Sequence, residues 1–414
     1  MPRDRATDDA QDLFTRGHKA LDAGDFQEAV ECFSRAIRLR PNVSDVYRLR
    51  AYAYLEMGDR VRALNDLDQA IRLKPSDARG YADRAAELYA QRQFDQAVAD
   101  CDRALALDSA RVELLALRGR CHAARGDSPA AFADFAAAIA ADPAHAARYR
   151  LWRAQLHLDL ENHAAATEDA DAILAADPHN AEALCLRAAV RQQSQDFTGA
   201  VADYSAALAL KPDHGFALLG RGLCRWLLSD NAGAVTDCDA VLKLAPGVVK
   251  AFEVRGCARR ALGDSDGALA DFTEAVRLAP AAVLPYTYRA SVHYARQNYA
   301  LAIRDHMEAL KRDPRSAPTF NQLAWIWATC PDPDVRNGRQ AHECATRACE
   351  LTEWGEPSFL DTLAAACAEG GEFEDAVKWQ EKALGLLPDE GRRADYRARL
   401  ELYRSGRPVR SAGA

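Results

Sequence analysis

Several features that mark catalytic, metal-binding or membrane-spanning proteins are missing from this sequence. None of its 11 cysteines forms a C-x-x-C pair, and neither the phosphate-loop pattern G-x-x-x-x-G-K-[ST] nor the metalloprotease pattern H-E-x-x-H occurs. No run approaches the ~18 consecutive apolar residues that a transmembrane helix needs, and the N-terminal segment lacks the apolar stretch of a signal peptide. We therefore expect no catalytic residues, no cofactor, no bound metal and no membrane partner.

The composition also argues against a nucleic-acid-binding or β-rich protein. The net charge is −8, so the chain lacks the basic excess that nucleic-acid binding requires. Aromatic residues make up only 8%, and alanine supplies much of the hydrophobic content, which suits closely packed helices. The odd number of cysteines and their spacing favour reduced, buried thiols. Such thiols predict a cytoplasmic protein.

Proline recurs along the chain at an almost constant interval. Successive members of the series lie 34 or 35 residues apart once Ser109, which stands where a proline would fall, is counted. The series is Pro41, Pro75, Pro143, Pro178, Pro212, Pro246, Pro280 and Pro314. This period predicts an N-terminal tail at residues 1–9 and nine repeats of 34–35 residues over 10–316, with one extra residue near 146.

Each repeat carries the signals of two helices joined by a turn. The first helix has a small residue at its centre, and the second has alanine at a fixed position and usually again seven residues later. Glycine often marks the turn, and Asp or Asn follows it as a helix N-cap in most units. Proline then ends the second helix, because it cannot continue the helical hydrogen bonding.

These positions resemble the tetratricopeptide repeat (TPR) family. In the second repeat the matching residues are Ala51 on the first helix, Ala63, Leu67 and Ala70 on the second, and the closing Pro75. The resemblance implies an all-α fold, a right-handed superhelical solenoid of antiparallel helix hairpins whose first helices line a concave groove. It also implies a non-catalytic scaffold that binds a peptide or a partner protein in that groove.

The family pattern places groove-facing residues at four positions of each first helix. In the seventh repeat these are Phe216, Leu219, Leu223 and Trp226, spaced as one face of a helix. In other repeats aromatic residues fall at these positions, namely Phe14, Tyr52, Tyr89 and Tyr294. Exposed apolar faces with aromatic anchors are typical of interaction sites. The alternative is that this face packs internally.

Arginine and aspartate recur at the same period. The arginine directly precedes the small residue of the first helix, and the aspartate lies on the second helix. The arginines are Arg16, Arg50, Arg84, Arg118, Arg153, Arg187, Arg221, Arg255 and Arg289, and the aspartates are Asp66, Asp100, Asp134, Asp169, Asp203, Asp237, Asp271 and Asp305. Because a cation near the hairpin interface needs a partner, we predict a structural Arg–Asp ladder. An anion-binding basic stripe is the alternative, although the matched aspartates would cancel its field.

Two variant hairpins are predicted for residues 317–390, where the ladder has stopped. The first contains a lengthened loop, and its string N-x-L-A-W-x-x-A-T-C-P-D-P resembles a terminal module of bacterial TPR proteins. Residues 391–404 are predicted to form a capping helix, because Tyr396, Leu400 and Tyr403 share one face. Residues 405–414 are predicted to be a flexible tail.

Three functions are compatible with these observations. The leading hypothesis is a cytoplasmic scaffold that binds a peptide or protein in the groove. The second is an array that self-associates through the seventh repeat or the C-terminal end. The third is an enzyme with a site in the 330–343 loop, where Asp332, Asp334, His342 and Glu343 are the best metal-ligand candidates. We disfavour this third hypothesis, because Asp–Pro loops commonly form turns and caps.

Overall fold

The computed structural model describes residues 5–387 and 390–411, and all regular structure in these residues is helical. The helices fall into two compact units that divide between Ser194 and Gln195. The first unit contains α1 (Arg5–Asp22), α2 (Phe26–Leu39), α3 (Ser44–Glu56), α4 (Arg60–Leu73), α5 (Ala78–Ala90), α6 (Phe94–Leu107), α7 (Val112–Ala124), α8 (Ser128–Ala141), α9 (Ala146–Asp159), α10 (His163–Ala176) and α11 (Ala181–Gln193).

The second unit begins in the sixth repeat and includes the C-terminal module. It contains α12 (Phe197–Leu210), α13 (Gly215–Leu227), α14 (Asn231–Leu244), α15 (Val249–Ala261), α16 (Ser265–Leu278), α17 (Leu284–Ala295), α18 (Tyr299–Arg312), α19 (Ala317–Thr329), α20 (Gly338–Leu351), α21 (Pro357–Glu369), α22 (Phe373–Leu386) and α23 (Glu390–Arg404). Among the helices of the described residues, none is long and apolar enough to cross a membrane.

The helices alternate between two roles along the chain. Odd-numbered helices from α1 to α21 are the first helices of hairpins, and even-numbered helices from α2 to α22 are the second helices. Within each unit, a second helix packs on the first helix of its own hairpin and on the first helix of the next hairpin. The all-α array of helix hairpins predicted from the sequence is thus confirmed inside each unit.

Every hairpin turn of the nine repeats contains a residue in the left-handed backbone region. Glycine occupies this position at Gly24, Gly58, Gly126 and Gly263, with φ between +77° and +84°. Other residues occupy it at Arg92, Glu161, Gln195, Ser229 and Gln297, with φ between +58° and +65°. Glycine adopts this conformation at the least cost, which explains why the sequence so often places it in the turn.

The residue after the turn caps the second helix. The Asp59 side chain accepts a hydrogen bond from the backbone N–H of Arg62 and so satisfies one of the free donors at the helix start. The equivalent bond is made by Asp25, Asp127, Asn162, Asp196, Asp230 and Asp264. Asn298 was expected to do the same, but its side chain makes no capping bond.

The small residue of the first helix is glycine where the second helix carries phenylalanine. A Cβ atom added at Gly256 would lie only 2.6 Å from the Phe272 ring, closer than carbon atoms pack in folded proteins. The same pairing occurs at Gly17 with Phe33 and at Gly119 with Phe135. Phe272 is completely buried, so the glycine is what admits the ring between the two helices.

The extra residue predicted near 146 is accommodated where the fifth repeat begins. A single 3-10 turn at Pro143–His145 separates α8 from α9, and the Asp142 side chain accepts a hydrogen bond from the backbone N–H of His145. Helix α9 then has 14 residues, against 13 in α7. The insertion therefore changes one connection and leaves the hairpins on either side intact.

The two ends of the chain differ from the sequence expectation. Helix α1 begins at Arg5, so residues 5–9, which were expected in the N-terminal tail, are helical. The capping helix α23 buries Tyr396, Leu400 and Tyr403 as its spacing predicts. The residues outside the described part are 1–4, 388–389 and 412–414, and the expected closing residue Pro388 is among them.

Candidate protein-binding surfaces

Seven arginines of the predicted ladder each form a bidentate ion pair with the aspartate sixteen residues later. In each, Nε and Nη2 donate to the carboxylate oxygens at 2.5–3.2 Å. The pairs are Arg50–Asp66, Arg84–Asp100, Arg118–Asp134, Arg153–Asp169, Arg221–Asp237, Arg255–Asp271 and Arg289–Asp305. All seven aspartates are buried. Each guanidinium charge is therefore matched, which does not support the anion-binding alternative.

The first arginine of the series, Arg16, behaves differently. In the first repeat Cys32 occupies the aspartate position, and Arg16 pairs instead with Glu28 at 3.0 Å. Its side chain is 61% exposed, whereas the side chain of Arg221 is 17% exposed. An exposed pair of this kind contributes little to stability.

A third nitrogen of most ladder arginines reaches the preceding repeat. Nη1 of Arg84 lies 2.6 Å from Asp68 on helix α4, and Nη1 of Arg221 lies 3.2 Å from Ser205 on helix α12. Equivalent partners are Ser34, Asp102, Asp171, Asp239 and Thr273. Each of these arginines therefore contacts two successive hairpins, a connection that the sequence analysis missed although its polar acceptors recur two residues after the aspartates.

A second basic side chain contacts the ladder aspartate in some repeats. Nη1 of Arg225 donates to Asp237 at 2.9 Å, while in the ninth repeat His293 takes this place, with Nε2 4.0 Å from Asp305. Burial lowers the pKa of His293, so its ring is neutral at neutral pH. The Asp305 carboxylate thus faces a neutral ring where Asp237 faces a second full charge.

The predicted stripe of the seventh repeat is part exposed and part packed. Phe216 is 57% exposed, and Leu219, Leu223 and Trp226 are half-buried. The Trp226 ring packs against a cluster that includes Cys257 of the next first helix. The stripe therefore offers an apolar edge around Phe216, while Trp226 also takes part in packing between repeats.

The same four helix positions line a cleft in the ninth repeat. There they are Leu284, Thr287, Ser291 and Tyr294 on α17, and the opposite wall is formed by α19. Leu284 is 49% exposed. The cleft between these two first helices therefore combines apolar, hydroxyl and aromatic groups.

In the first unit, Tyr52 lines a comparable cleft between α1, α3 and α5. Tyr52 is 49% exposed and has Leu21, Leu49 and Leu55 around it. Phe14, also predicted for the groove, is half-buried and contacts the ring of Phe33. Of these two predicted residues, only Tyr52 presents a largely free side chain.

Tyr89, the remaining aromatic candidate, belongs to a stack that crosses three repeats. The guanidinium of Arg120 lies 4.5 Å from the Tyr89 ring and 4.7 Å from the Trp152 ring. Cation–π contacts of this kind hold a cation between two aromatic faces. The sequence analysis missed both partners of Tyr89: Arg120 stands at the groove position that Tyr52 and Leu223 occupy in their repeats but is not aromatic or apolar, and Trp152 falls outside the four groove positions.

A buried polar cluster attaches the capping helix to the C-terminal hairpins. The Asp361 carboxylate on α21 accepts hydrogen bonds from Gln380 at 2.7 Å and Arg399 at 2.8 Å, and Gln380 also donates to the backbone oxygen of Tyr396. Burial raises the pKa of Asp361, while the nearby Arg399 opposes this shift. None of these residues lies on the 34-residue period.

The sequence predicted a flexible tail at residues 405–414, and the described part of this segment contacts the preceding helices. Residues 405–411 contact helix ends at Tyr294, Thr329 and Glu369. Tyr294 was a candidate for the partner-binding groove. The structure therefore places part of the chain itself against one of the predicted groove residues.

The proposed ligands of a metal in the 330–343 loop do not form one group. Asp332 caps a turn by accepting the N–H of Asp334, and Glu343 pairs with Arg339. His342 instead lies near Cys367 and Glu372, with one potential ligand atom of each within 4.8 Å of the others. Burial raises the pKa of the Cys367 thiol to about 12, which disfavours the thiolate that metals bind.

One short string matches a hydrolase pattern, since Gly263–Gly267 reads G-x-S-x-G. In hydrolases this string forms a sharp turn between a strand and a helix. Here it joins helices α15 and α16, Asp264 caps α16, and Ser265 is simply the first residue of that helix. The string is therefore a hairpin turn of the repeat.

Comparison with protein-family models identifies the class of repeat. Residues 185–248 and 254–318 match a tetratricopeptide repeat model, and residues 14–164 match the ETO1 C-terminal domain. The tetratricopeptide repeat matches, together with the helix hairpins described above, identify residues 185–248 and 254–318 as tetratricopeptide repeats.

Several solved structures are similar to this chain in fold. Yeast Tom70 has 14% identity and a TM-score of 0.43, with 96% of each chain covered. A tetratricopeptide repeat protein from Parabacteroides merdae has 17% identity and a TM-score of 0.45, covering 71% of this chain and 98% of its own. The APC/C hetero-tetramer Cut9–Hcn1 has 15% identity and a TM-score of 0.49, covering 98% and 90%. No curated protein matches the chain.

Proposed function

We propose that this protein is a non-catalytic scaffold that binds a peptide or a partner protein in the groove formed by its first helices. The observation that supports this proposal most directly is the apolar edge of the seventh repeat, where Phe216 is 57% exposed. The cleft on α17, lined by the same four helix positions, supports the same surface. The cysteines are largely buried and form no disulfide within the described residues, which favours a cytoplasmic, reducing location.

The proposal is tested by substituting one exposed apolar residue on each kind of helix. Phe216→Ser removes the edge of the stripe, and Leu244→Ser removes a similarly exposed residue (51%) from a second helix. Partners captured by the natural chain would be identified by mass spectrometry and then purified. We expect their affinity to fall about tenfold or more with Phe216→Ser, because burying such a side chain contributes roughly 1.5–3 kcal/mol.

Two results would decide against this surface, and a third would assign it to self-association. Equal binding by both variants would place the partner elsewhere, and stronger loss with Leu244→Ser would move the site to the second helices. Light scattering over a range of concentrations tests the self-association alternative. An increase in mass that Phe216→Ser abolishes would show that the stripe joins two copies of the chain.

A further inference from the structure

The chain turns sharply after the capping helix and returns to the array. The backbone N–H groups of Gly406 and Arg407 donate to the carbonyls of Tyr403 and Leu402, and Gly406 has φ of +67°. This is the left-handed arrangement that ends a helix and fixes the direction of the departing chain. The turn therefore aims residues 407–411 at the ends of α17, α19 and α21.

Ser411 is held by main-chain and side-chain contacts at the end of α19. Its N–H donates to the backbone oxygen of Thr329 at 2.8 Å, and its hydroxyl lies 2.5 Å from the Thr329 hydroxyl and accepts from the Tyr294 hydroxyl at 3.0 Å. Thr329 is the last residue of α19, where carbonyl groups have no partner within the helix. The segment thus satisfies an acceptor that the helix end leaves open.

Two neighbouring side chains add an apolar anchor and a charge contact. Val409 packs against the hydrophobic core of the C-terminal hairpins. Nη1 of Arg410 lies 2.7 Å from Oε2 of Glu369, whose other oxygen is held by Arg336 at 3.0 Å. The Glu369 side chain is only 14% exposed, so its carboxylate gains from a second cation more than a solvated one would.

We propose that the surface formed by Tyr294, Thr329 and Glu369 is a peptide-binding site, and that residues 407–411 are its resident occupant. The ligand class is an extended segment with an apolar side chain, a basic side chain and a small hydroxyl side chain in consecutive positions, as in Val409–Arg410–Ser411. A partner segment of this kind binds when it displaces the resident one. This inference does not depend on the Phe216 stripe.

The contacts suit exchange better than permanent packing. Beyond the turn at Gly406, the main-chain bonds described for this segment consist of the one from Ser411 to Thr329. Arg410 is exposed, and Val409 and Ser411 are half-buried. Because the segment is tethered, its effective concentration at this surface is high. A modest affinity of the segment for the surface is therefore enough to keep the surface occupied when no competing peptide is present.

The test uses the full chain and a fluorescent peptide of sequence SGRPVRS, which copies residues 405–411. In a full chain carrying Val409→Asp and Arg410→Glu, the resident segment loses its anchor and meets the charge of Glu369, so the surface opens. We expect this chain to bind the peptide at least about tenfold more tightly than the natural chain does. Adding Glu369→Gln to the opened chain is expected to weaken binding, and a peptide with its arginines replaced is expected to bind poorly.

A second measurement uses only the natural chain. Hydrogen–deuterium exchange should show slow exchange of the Ser411 amide, and an excess of unlabelled SGRPVRS should accelerate it. Failure of the opened chain to bind the peptide, equal binding by natural and opened chains, or unchanged exchange on adding the peptide would overturn the proposal. Loss of partner binding by Phe216→Ser with SGRPVRS binding intact would separate this site from the stripe.

Discussion

Arg221 holds both carboxylate oxygens of Asp237, with Nε and Nη2 donating at 2.9 Å and 2.7 Å. Arg225 donates to the same carboxylate at 2.9 Å, and Asp237 is 2% exposed. The aspartate is thus the common acceptor for two cations at the hairpin interface. Its removal would leave both cations without their buried partner, which costs far more than the pair contributes when it is intact.

Asp237→Ala is therefore expected to lower stability by roughly 3–5 kcal/mol. Thermal melts followed by circular dichroism would measure the change, with Asp213→Ala in an exposed turn as the control. A midpoint for Asp237→Ala that matches the control would mean that the ladder is not important for stability. The double change Asp237→Ala, Arg221→Leu should recover part of the loss, because it removes one stranded charge.

Gly256→Ala is expected to destabilise the eighth repeat, because the new Cβ would lie 2.6 Å from the Phe272 ring. Overpacking of a close helix contact typically costs about 1–3 kcal/mol. Gly222→Ala is the matched control, since its Cβ would meet Asp237 Cβ at 3.2 Å, which needs only a small adjustment. The order of the two thermal midpoints checks the prediction, and recovery of Gly256→Ala by Phe272→Leu would identify the ring as the cause.

Trp226 and Phe216 are expected to contribute differently to stability. Trp226→Ala removes a ring that packs against the cluster containing Cys257 and Val292, so we expect a loss of about 2 kcal/mol. Phe216→Ala exposes little that was buried, so we expect less than about 1 kcal/mol. Thermal melts would measure both, and equal midpoints would contradict the different burial of the two rings.

The hairpins could be predicted from the sequence because the same pattern of small, capping and helix-ending residues recurs in successive repeats. The period places Arg84 and Asp100 sixteen residues apart in one hairpin, and two helices joined by a short turn bring those positions together. The bond from Arg84 to Asp68 depends on how one hairpin packs on the next, so the polar residue that recurs two places after each aspartate could not be assigned to an arginine from the period alone. That is why the ladder could be predicted but its connection between repeats could not.

The docked C-terminal segment had no such repeated signal. Residues 405–411 occur once, contain glycine and proline, and carry exposed arginines, so their composition is that of a free end. Their position depends on the left-handed turn at Gly406 and on the open carbonyl of Thr329, which are properties of the folded module. The half-burial of Trp226 was likewise hidden, because it depends on residues of the following repeat.

His306 is expected to make the protein less stable in mild acid. The side chain is 3% exposed, and burial lowers its pKa to about 4, compared with about 6.5 in an unfolded chain. Between those values the unfolded state binds the proton more readily, so the free energy of unfolding falls as the pH decreases through this range. Below about pH 4 the histidine is protonated in both states and makes no further change to the free energy of unfolding. The shift corresponds to a loss of about 3 kcal/mol.

His306→Leu should reduce the difference in thermal midpoint between pH 7 and pH 4 relative to the natural chain, whereas the exposed control His179→Leu should not. Parallel pH profiles for the natural chain and His306→Leu would show that this histidine is not the source of acid sensitivity.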